Sequence, residues 1–239
     1  MSTEEYKPAS QEEMNAELIP LVDENDHIIG SAAKMEAHYF NSEHEKSKLH
    51  RAFSVLLFDS NGKLLVQRRS AEKLTFPLLW ANTCCSHPLF SIPQECGPNP
   101  AEGVKRAAIR RMKFELGVPT DFLKLEDYHL VGRMRYYSPS FSITVDEKKV
   151  NLAENEIDYI LIAQTKVPIP LNINKDEIAE VRYISREELP AFLEKEPISP
   201  WFRHICNSML PAVWSEYIDE GKGCKEWTEP TDLPEIKEM

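Results

Sequence analysis

The stretch NPAEGVKRAAIRRMKFELG, residues 99–117, carries the signals of a complete helix. Asn99 can cap the first turn, Pro100 suits the first helical position, and Gly117 is a typical stop. Apolar residues recur between them at helical spacing: Val104, Ala108, Met112 and Leu116. We therefore predict a helix from Pro100 to Leu116.

The same helix carries a charged pair that has two interpretations. Arg111 and Glu115 are four residues apart and share one face, where such a pair is usually a solvated ion pair. With a diphosphate and Mg²⁺ present, the carboxylate would hold the metal and the guanidinium the phosphate oxygens. Arg68, Arg69 and Lys73 lie close together at the end of an earlier strand and are candidates for a local positive patch.

Strand patterns surround this helix. Leu18–Val22 and 27–30 read as a hairpin across an acidic turn, and an Asn-Gly turn joins a strand at Ala52–Phe58 to its return at 63–68. Further strands are predicted at 128–134, 156–163 and 180–184. A capping-box signal at Ser185 starts a short helix, and a last helix is predicted from Trp201 to Tyr217. Because the order lacks a βαβ rhythm, the pattern indicates an α+β fold.

Bulk properties limit the classes of function. The 239 residues suit one domain, which we place at 17–218 between a flexible N-terminal tail, 1–16, and a polar C-terminal tail, 219–239. A net charge of −11 argues against nucleic-acid binding through bulk electrostatics. An anionic substrate would need a local cluster of Arg and Lys, or bound metal ions, to reverse this field.

The cysteines and the N-terminus indicate a reducing compartment. Five cysteines without regular spacing argue against a disulfide framework. The N-terminus lacks the basic-then-apolar pattern of a signal peptide, and no apolar run has the length of a membrane span. We expect a soluble cytoplasmic protein with free thiols that does not associate with membranes; the oligomeric state stays open.

The densest group of reactive side chains lies at Asn82–Pro88. If this stretch is extended, Cys85 and His87 point to one face and Cys84 to the other. A thiol and an imidazole on one face can form an acid/base site or a metal site. The alternative, that both cysteines are small core residues, is the commoner outcome for a Cys-Cys pair alone.

Two glutamates open another predicted strand. Glu154 and Glu156 share a face, where they repel each other unless a cation lies between them or one stays protonated. A solvated strand edge is the alternative. Histidines in residues 31–50 supply further nitrogen ligands: His38, His44 and His50. Mixed nitrogen and oxygen ligands suit Zn²⁺ or Mn²⁺, and suit Mg²⁺ if more oxygens join.

These pieces, in this order, resemble the type I isopentenyl-diphosphate isomerases of the Nudix superfamily. The resemblance spans residues 18–217 and is carried by segments around the first strand, the cysteine cluster, the paired glutamates, the helix end and a tryptophan: 49–54, 82–88, 154–156, 110–117 and 199–202. It implies Nudix-like mixed β-sheets sandwiched by helices, with N- and C-terminal extensions. The implied activity is conversion of isopentenyl diphosphate to dimethylallyl diphosphate through a carbocation-like intermediate.

The resemblance also implies roles for individual residues. Cys85 and Glu156 would be the acid/base groups, helped by Tyr136. The ligands of one divalent metal (Mg²⁺, with Mn²⁺ or Zn²⁺ as alternatives) would be His38, His50, His87, Glu154 and Glu156. Glu115 would help to hold a second ion, Mg²⁺, against the diphosphate. The phosphate oxygens would be bound by Lys34, Arg69, Lys73 and Arg111, and Trp201 would cover the hydrocarbon end.

Departures from a hydrolytic Nudix box argue against diphosphate hydrolysis. Cys96 occupies the opening glycine position, Arg111 and Phe114 occupy glutamate positions, and Glu102 and Glu115 remain. Hydrolysis generally uses several helix carboxylates to hold metals and activate water. Two rivals stay open: a Nudix hydrolase of a nucleoside or isoprenoid diphosphate, and an inactive Nudix-fold binding module with structural zinc. The stretch from Tyr136 to Glu154 is also longer than in compact family members.

Overall fold

The computed structural model describes residues 10–40, 47–145, 148–218 and 234–238, with side chains except for 139–149 and 238. The strands are β1 Leu18–Val22, β2 Ile28–Ala33, β3 Tyr39–Phe40, β4 His50–Phe58, β5 Leu64–Arg69, β6 Trp80–Ala81, β7 Cys84–Ser86, β8 His129–Val145, β9 Lys148–Gln164, β10 Ile178–Ile184 and β11 Ile236–Glu238. The α-helices are α1 Gln11–Ala16, α2 Lys34–His38, α3 Pro100–Leu116, α4 Leu189–Lys195, α5 Pro200–Ser208 and α6 Leu210–Glu216. Within these ranges no helix combines the length and hydrophobicity needed to cross a bilayer.

The predicted helix α3 is confirmed, and its ends show why it forms there. The side chain of Asn99 accepts a hydrogen bond from the backbone N–H of Glu102 at 3.3 Å. Gly117 ends the helix with φ at 70°, and a Cβ at this position would lie 2.4 Å from the carbonyl oxygen of Asn172. Both the backbone conformation and the contact therefore require glycine.

The sheet is mixed, with the central order β10-β5-β4-β9-β8-β11. Strand β4 runs parallel to β9, with His50 beside Glu156, and β8 runs antiparallel to β9, with Tyr136 beside Glu156. The short strand β7 pairs with β4 so that Cys85 lies beside Ser54. These registers bring the segments with reactive side chains to one region of the sheet.

Alternation along the strands builds one apolar core on each face of the sheet. Val55 and Leu57 of β4 pack with the buried face of α3, which includes all four periodic residues predicted for it. Leu56 and Phe58 point the other way and pack with α4, α5 and α6, including Trp201 and Trp214. Helices thus cover both faces, and the α+β sandwich expected from the sequence is confirmed.

Three local predictions differ from the structure. The last helix divides at Met209 into α5 and α6, because Pro211 has no N–H to continue the hydrogen-bond ladder. Ser185 and Glu188 exchange the two capping-box hydrogen bonds, but the α-helix begins only at Leu189. The long stretch after Tyr136 belongs to two 17-residue strands, β8 and β9, which pair antiparallel.

The segments that we assigned to tails contain regular structure in their described parts. Gln11–Ala16 forms α1, capped by Ser10 and anchored by buried Met14. Ile236–Glu238 forms β11, which pairs in parallel with β8. Residues 1–9, 219–233 and 239 lie outside the described part of the chain.

Candidate active site

Strand β9 presents a row of acidic side chains to one face of the sheet. Glu154 and Glu156 share this face, as predicted, and the alternation continues to Asp158. All three are largely buried, and Asp158 is 1% exposed. The hydroxyl of Ser54 donates a hydrogen bond to one oxygen of Asp158 at 2.8 Å, and the other oxygen has no hydrogen-bond partner. Carboxylates this close and this buried require a compensating charge or a proton.

Three histidines from different elements converge on the glutamates. The Nε2 atom of His38, at the end of α2, lies 3.0 Å from an oxygen of Glu154. The Nε2 atoms of His50 and His87 lie 3.3 and 2.9 Å from the same oxygen of Glu156. The ligand atoms of these histidines and Glu156 all lie within 4.8 Å of one another. We call His38, His50, His87, Glu154 and Glu156 the His/Glu cluster.

Hydrogen bonds to the backbone fix two of the imidazoles. His38 Nδ1 lies 2.6 Å from the carbonyl oxygen of Lys34, and His50 Nδ1 lies 2.8 Å from that of Lys48. Because a carbonyl only accepts, each Nδ1 is the donor, and in the neutral ring Nε2 carries a lone pair. Both Nε2 lone pairs then face carboxylate oxygens. His50 Nε2 and Glu154 Oε2 have no hydrogen-bond partner, although both are buried.

The electrostatics of the cluster fit a bound cation. Burial, followed by Glu156, raises the pKa of Asp158 well above its usual value. Burial lowers the pKa of His38, but Glu154 and Glu156 outweigh this effect and raise it. Burial and the neighbouring His50 lower the pKa of His87 well below its usual value. Without an ion, the carboxylates therefore favour a proton on His38, and a divalent metal would replace that proton. Imidazoles and carboxylates are ligands that such a metal binds, so the residues present fit it.

Cys85 lines the same cavity as Glu154 and Glu156 and lies on β7, which is separated from β9 by β4. Its neighbour Cys84 points to the other face and is buried in the core beneath α3, which confirms the predicted alternation. Burial raises the pKa of Cys85 to about 12, although the guanidinium of Arg69, with Nη1 4.0 Å from the sulfur, opposes the shift. The group is therefore a thiol at neutral pH and suits proton transfer better than nucleophilic attack.

The cavity, which we call the central cavity, is lined by most of the residues that the resemblance implied. These are Lys34, His38, Arg69, Lys73, Cys85, His87, Arg111, Glu154, Glu156 and Trp201. Further lining comes from small and hydroxyl side chains of β4 and the loop after β5, among them Ala52, Ser54 and Thr75. His50 lies directly behind the cavity wall and is fully buried.

Basic side chains line one part of this wall and include Arg69 and Lys73 of the predicted positive patch. Arg68 does not line the cavity, and its Nε donates to the carbonyl oxygen of Leu78. Burial and the charge of Lys73 lower the pKa of Lys34 to about 8. Glu177 bridges Lys73 Nζ at 2.8 Å and Arg111 Nη2 at 2.9 Å. Burial raises the pKa of Glu177, but the two cations outweigh it and lower the value to about 2. Sequence reasoning missed Glu177, because an Asp-Glu pair in a polar loop gives no signal of burial.

An aromatic wall faces the thiol side of the central cavity. The Trp201 ring contacts Phe76 edge-on, with centroids 5.3 Å apart, and lies 6.4 Å from the ring of Tyr136. The guanidinium carbon of Arg69 lies 5.5 Å from the centroid of Trp201. Arg69 also donates to the carbonyl oxygens of Thr75 and Phe76, which hold it against the ring. Arg69 thus connects the two parts of the cavity, since it contacts the indole and the thiol and its charge also acts on Lys73.

The remaining predicted residues lie at the margin. Tyr136 is buried beside Glu156, and burial raises its pKa; Tyr137 pairs with Asn155 and so points to the other face. Glu115 does not line the central cavity. It is 3% exposed and accepts hydrogen bonds from Arg111 at 2.6 Å and Gln67 at 3.1 Å.

Two further residues were named in the sequence analysis. Glu102 is at the far end of α3, in an exposed ion pair with Arg106. His44 is outside the described residues.

Comparisons with known proteins agree with this arrangement. The family profile "NUDIX domain" matches residues 48–204. An isopentenyl-diphosphate delta-isomerase of Aspergillus fumigatus is 41% identical, covering 88% of this chain and 77% of its own length. One of Camptotheca acuminata is 38% identical, covering 84% of this chain and 83% of its own length.

A solved structure shows the same fold. The protein DR0079 from Deinococcus radiodurans superimposes with a TM-score of 0.52 at 17% identity, covering 80% of this chain and 98% of that one. At that identity the likeness concerns the fold alone. The similarity over most of both chains to the fungal and plant enzymes is decisive: this chain belongs to the isopentenyl-diphosphate delta-isomerase family and has the NUDIX fold.

Proposed function

We propose that the protein converts isopentenyl diphosphate to dimethylallyl diphosphate, adding a proton to one alkene carbon and removing one from another. The proposal rests on the central cavity. A thiol, a buried carboxylate, basic side chains and an indole all line it. The curated relatives bear the name of this activity.

Cys85 and Glu156 would transfer the protons. Isomerisation needs one group that gives a proton to carbon and another that accepts one, both within reach of the bound alkene. Cys85 is a thiol with its pKa raised to about 12, so it holds a proton that it can exchange. Glu156 approaches from a different strand, and Tyr136 lies beside it in register. This arrangement supports the paired roles that the resemblance implied.

The His/Glu cluster would hold a divalent metal. Mg²⁺ is our first choice, and Mn²⁺ or Zn²⁺ also suits a site with three imidazoles and two carboxylates. When bound, the ion supplies the positive charge that allows Glu154 and Glu156 to stay ionised side by side. Glu115 would help to hold a second ion, Mg²⁺, next to Arg111 once a diphosphate is present.

The basic end of the central cavity would hold the diphosphate. Lys34, Arg69, Lys73 and Arg111 line this cavity, and among these four Glu115 and Glu177 pair only with Lys73 and Arg111. These cations supply the local positive charge that an anionic substrate needs in a chain with a net charge of −11. Binding energy from this remote group positions the small alkene against the proton-transfer groups.

Trp201 would cover the hydrocarbon end. A carbocation-like intermediate needs stabilisation without a nucleophile or water that can quench it. The face of an indole offers about 2 kcal/mol or more to a desolvated cation. Trp201 is 6% exposed and packs against Phe76, so this end of the cavity is largely closed to solvent.

Two rivals are less well supported. A hydrolase would place several carboxylates of α3 at the metal, but Glu102 is exposed and paired with Arg106, and Arg111 and Phe114 replace two glutamates of the hydrolytic box. A structural zinc module would leave the adjoining cavity without a role, and structural zinc rarely uses two carboxylates.

A solvent-exchange assay tests the proposal. Incubation of the protein with isopentenyl diphosphate and Mg²⁺ in D₂O should give dimethylallyl diphosphate with deuterium on carbon and no phosphate release. Cys85→Ala should abolish the exchange, while Cys96→Ala, a partly exposed thiol outside the cavity, should retain it. Phosphate release without exchange would indicate a hydrolase. Bound zinc with neither product would indicate a binding module.

The cytoplasmic location stays a prediction. Two relatives from Arabidopsis thaliana and Cannabis sativa are named as chloroplastic, so members of the family occupy more than one compartment. A fluorescent fusion of the full chain, imaged in its native cell, would test the prediction.

A further inference from the structure

Asn82 makes a direct side-chain contact with the indole of Trp201. The Nε1–H of Trp201 donates a hydrogen bond to Oδ1 of Asn82 at 3.0 Å. Asn82 is fully buried, on the short connection between β6 and β7. It does not line the central cavity, and neither the sequence patterns nor the implied family roles gave this side chain a function.

The amide group of Asn82 is held in one orientation. Its nitrogen donates to the carbonyl oxygen of Cys84 at 2.8 Å and to that of Val55 at 3.2 Å. A carbonyl only accepts and an indole N–H only donates, so a flipped amide would lose all three hydrogen bonds. The oxygen of Asn82 is therefore a fixed acceptor at a fixed place relative to strands β4 and β7.

We infer that Asn82 is a positioning residue that sets the direction of the Trp201 indole relative to the Cys85 thiol. The carbonyl of Cys84 belongs to the peptide bond that leads into Cys85, so one buried side chain connects both groups. This inference rests on the proposed role of Trp201 at the hydrocarbon end of the cavity.

The other contacts of Trp201 define its direction less strictly. Phe76 and Tyr136 contact the ring edge-on, which allows the ring to slide or tilt, and Arg69 lies 5.5 Å from the ring centroid without a hydrogen bond to the indole N–H. The backbone of α5 is anchored separately, because Ser199 N–H donates to the carbonyl oxygen of Trp80 at 2.8 Å. A cation–π interaction depends on the ring face pointing at the charge, so the loss of one directional contact affects the reaction more than the fold.

A double-mutant cycle tests the inference. Asn82→Ala should lower kcat by about 10- to 100-fold with little change in KM, because the misplaced group acts in the transition state. In a Trp201→Phe background, which lacks the indole N–H, the same change should lower kcat by less than about threefold. An equal loss in both backgrounds would show that Asn82 only supports the strands and would overturn the inference.

The cycle also separates this inference from the proposed function. If Trp201→Phe alone keeps the wild-type kcat, the role of Trp201 fails first. If Trp201→Phe lowers kcat and Asn82→Ala lowers it by the same factor in both backgrounds, only the role of Asn82 fails. Glu196→Ala is the matched control, since Glu196 accepts from the indole of Trp80 at 3.1 Å, away from the central cavity. This control should leave kcat unchanged.

A measurement on the wild-type protein tests the inference even if Asn82→Ala does not fold. The ¹⁵N–¹H signal of the Trp201 indole, assigned by its absence in Trp201→Phe, should exchange with D₂O far more slowly than a free indole does. Exchange at the rate of a free indole would overturn the inference without any Asn82 variant. In a folded Asn82→Ala protein this signal should shift, while that of Trp214, bonded to the carbonyl of Gly62, should not.

Discussion

Two buried polar clusters share strands β4 and β9 and differ in how their charges are paired. On β4, His50 belongs to the His/Glu cluster, whereas its neighbour Arg51 points to the other face of the sheet. There Arg51 joins Asp26, Arg133 and Tyr159, which we call the Asp26 cluster. Alternation along a strand thus separates two sets of buried polar groups by a single residue.

The Asp26 cluster brings opposite charges together. Arg51 Nε donates to one oxygen of Asp26 at 2.8 Å, and Arg133 Nη1 lies 3.4 Å from the other. The hydroxyl of Tyr159 also donates to Asp26, and Arg133 Nε donates to the carbonyl of Pro234 at 2.7 Å. The anion of this cluster has a partner at each oxygen, as expected for an element of structure.

In the His/Glu cluster, by contrast, hydrogen-bond acceptors face other hydrogen-bond acceptors. His50 Nε2 and Glu154 Oε2 are buried without a hydrogen-bond partner, and two carboxylates share the space. Burial of polar groups alone therefore does not mark a site. An excess of unpaired acceptors at one point does, because only a cation or added protons relieve it.

The largest effect on activity should come from the carboxylate that joins the metal ligands to the proton chemistry. Glu156→Gln should lower the isomerisation rate by about 100- to 10,000-fold, since the amide cannot accept the proton. Steady-state product formation and isothermal titration with the diphosphate substrate would measure rate and binding separately. Binding should be largely retained. Near-normal turnover in this variant would show that Glu156 has no part in the chemistry.

The opposite pattern is expected for the Asp26 cluster. Asp26→Asn keeps the shape but leaves Arg51 and Arg133 without their counter-charge, so the free energy of unfolding should fall by about 3–5 kcal/mol. Denaturant titration would give this loss. Metal content and kcat per folded molecule should stay at wild-type values, and a loss of metal with intact stability would reverse the assignment of the two clusters.

Removal of the metal should also distinguish the His/Glu cluster from the Asp26 cluster. A chelated protein should melt at a lower temperature than one refilled with metal, because an ion present at about 100 times its Kd stabilises the native state by about 2.7 kcal/mol. Calorimetry with Mg²⁺, Mn²⁺ and Zn²⁺ in turn would rank the metals. The Asp26→Asn variant should show the same metal-dependent increase, whereas His50→Ala should show little.

A smaller effect is expected on the free energy of unfolding at acid pH, through the carboxylate of Glu177. Its pKa is about 2 in the folded protein against 4.5 normally, so its stabilising contribution is complete above pH 4.5 and is lost as the pH falls toward 2. The slope from this one group is at most about 1.4 kcal/mol per pH unit. Denaturation midpoints from pH 4.5 to 2.5 should fall less steeply in Glu177→Gln. An unchanged slope would contradict the lowered pKa.

Features set by neighbouring residues could be predicted from the sequence, whereas contacts between residues far apart in the chain could not. Helix α3 was predicted to the residue because its cap, its apolar period and its stop are all local. Glu154 and Glu156 share a face because a strand alternates, and the same period extends to Asp158, which the sequence analysis did not use. Glu177 and Asn82 were missed because their partners lie far along the chain: Glu177 meets Lys73, and Asn82 meets Trp201.

Anomalous diffraction from crystals grown with Mn²⁺ or Zn²⁺ would show whether the His/Glu cluster is a metal site. We expect one strong peak surrounded by His38, His50, His87, Glu154 and Glu156, at about 2.0–2.2 Å from the ligand atoms if zinc is bound. No peak is expected at Asp26. Crystals without a peak at the cluster, from protein that keeps full isomerase activity in excess chelator, would contradict the account.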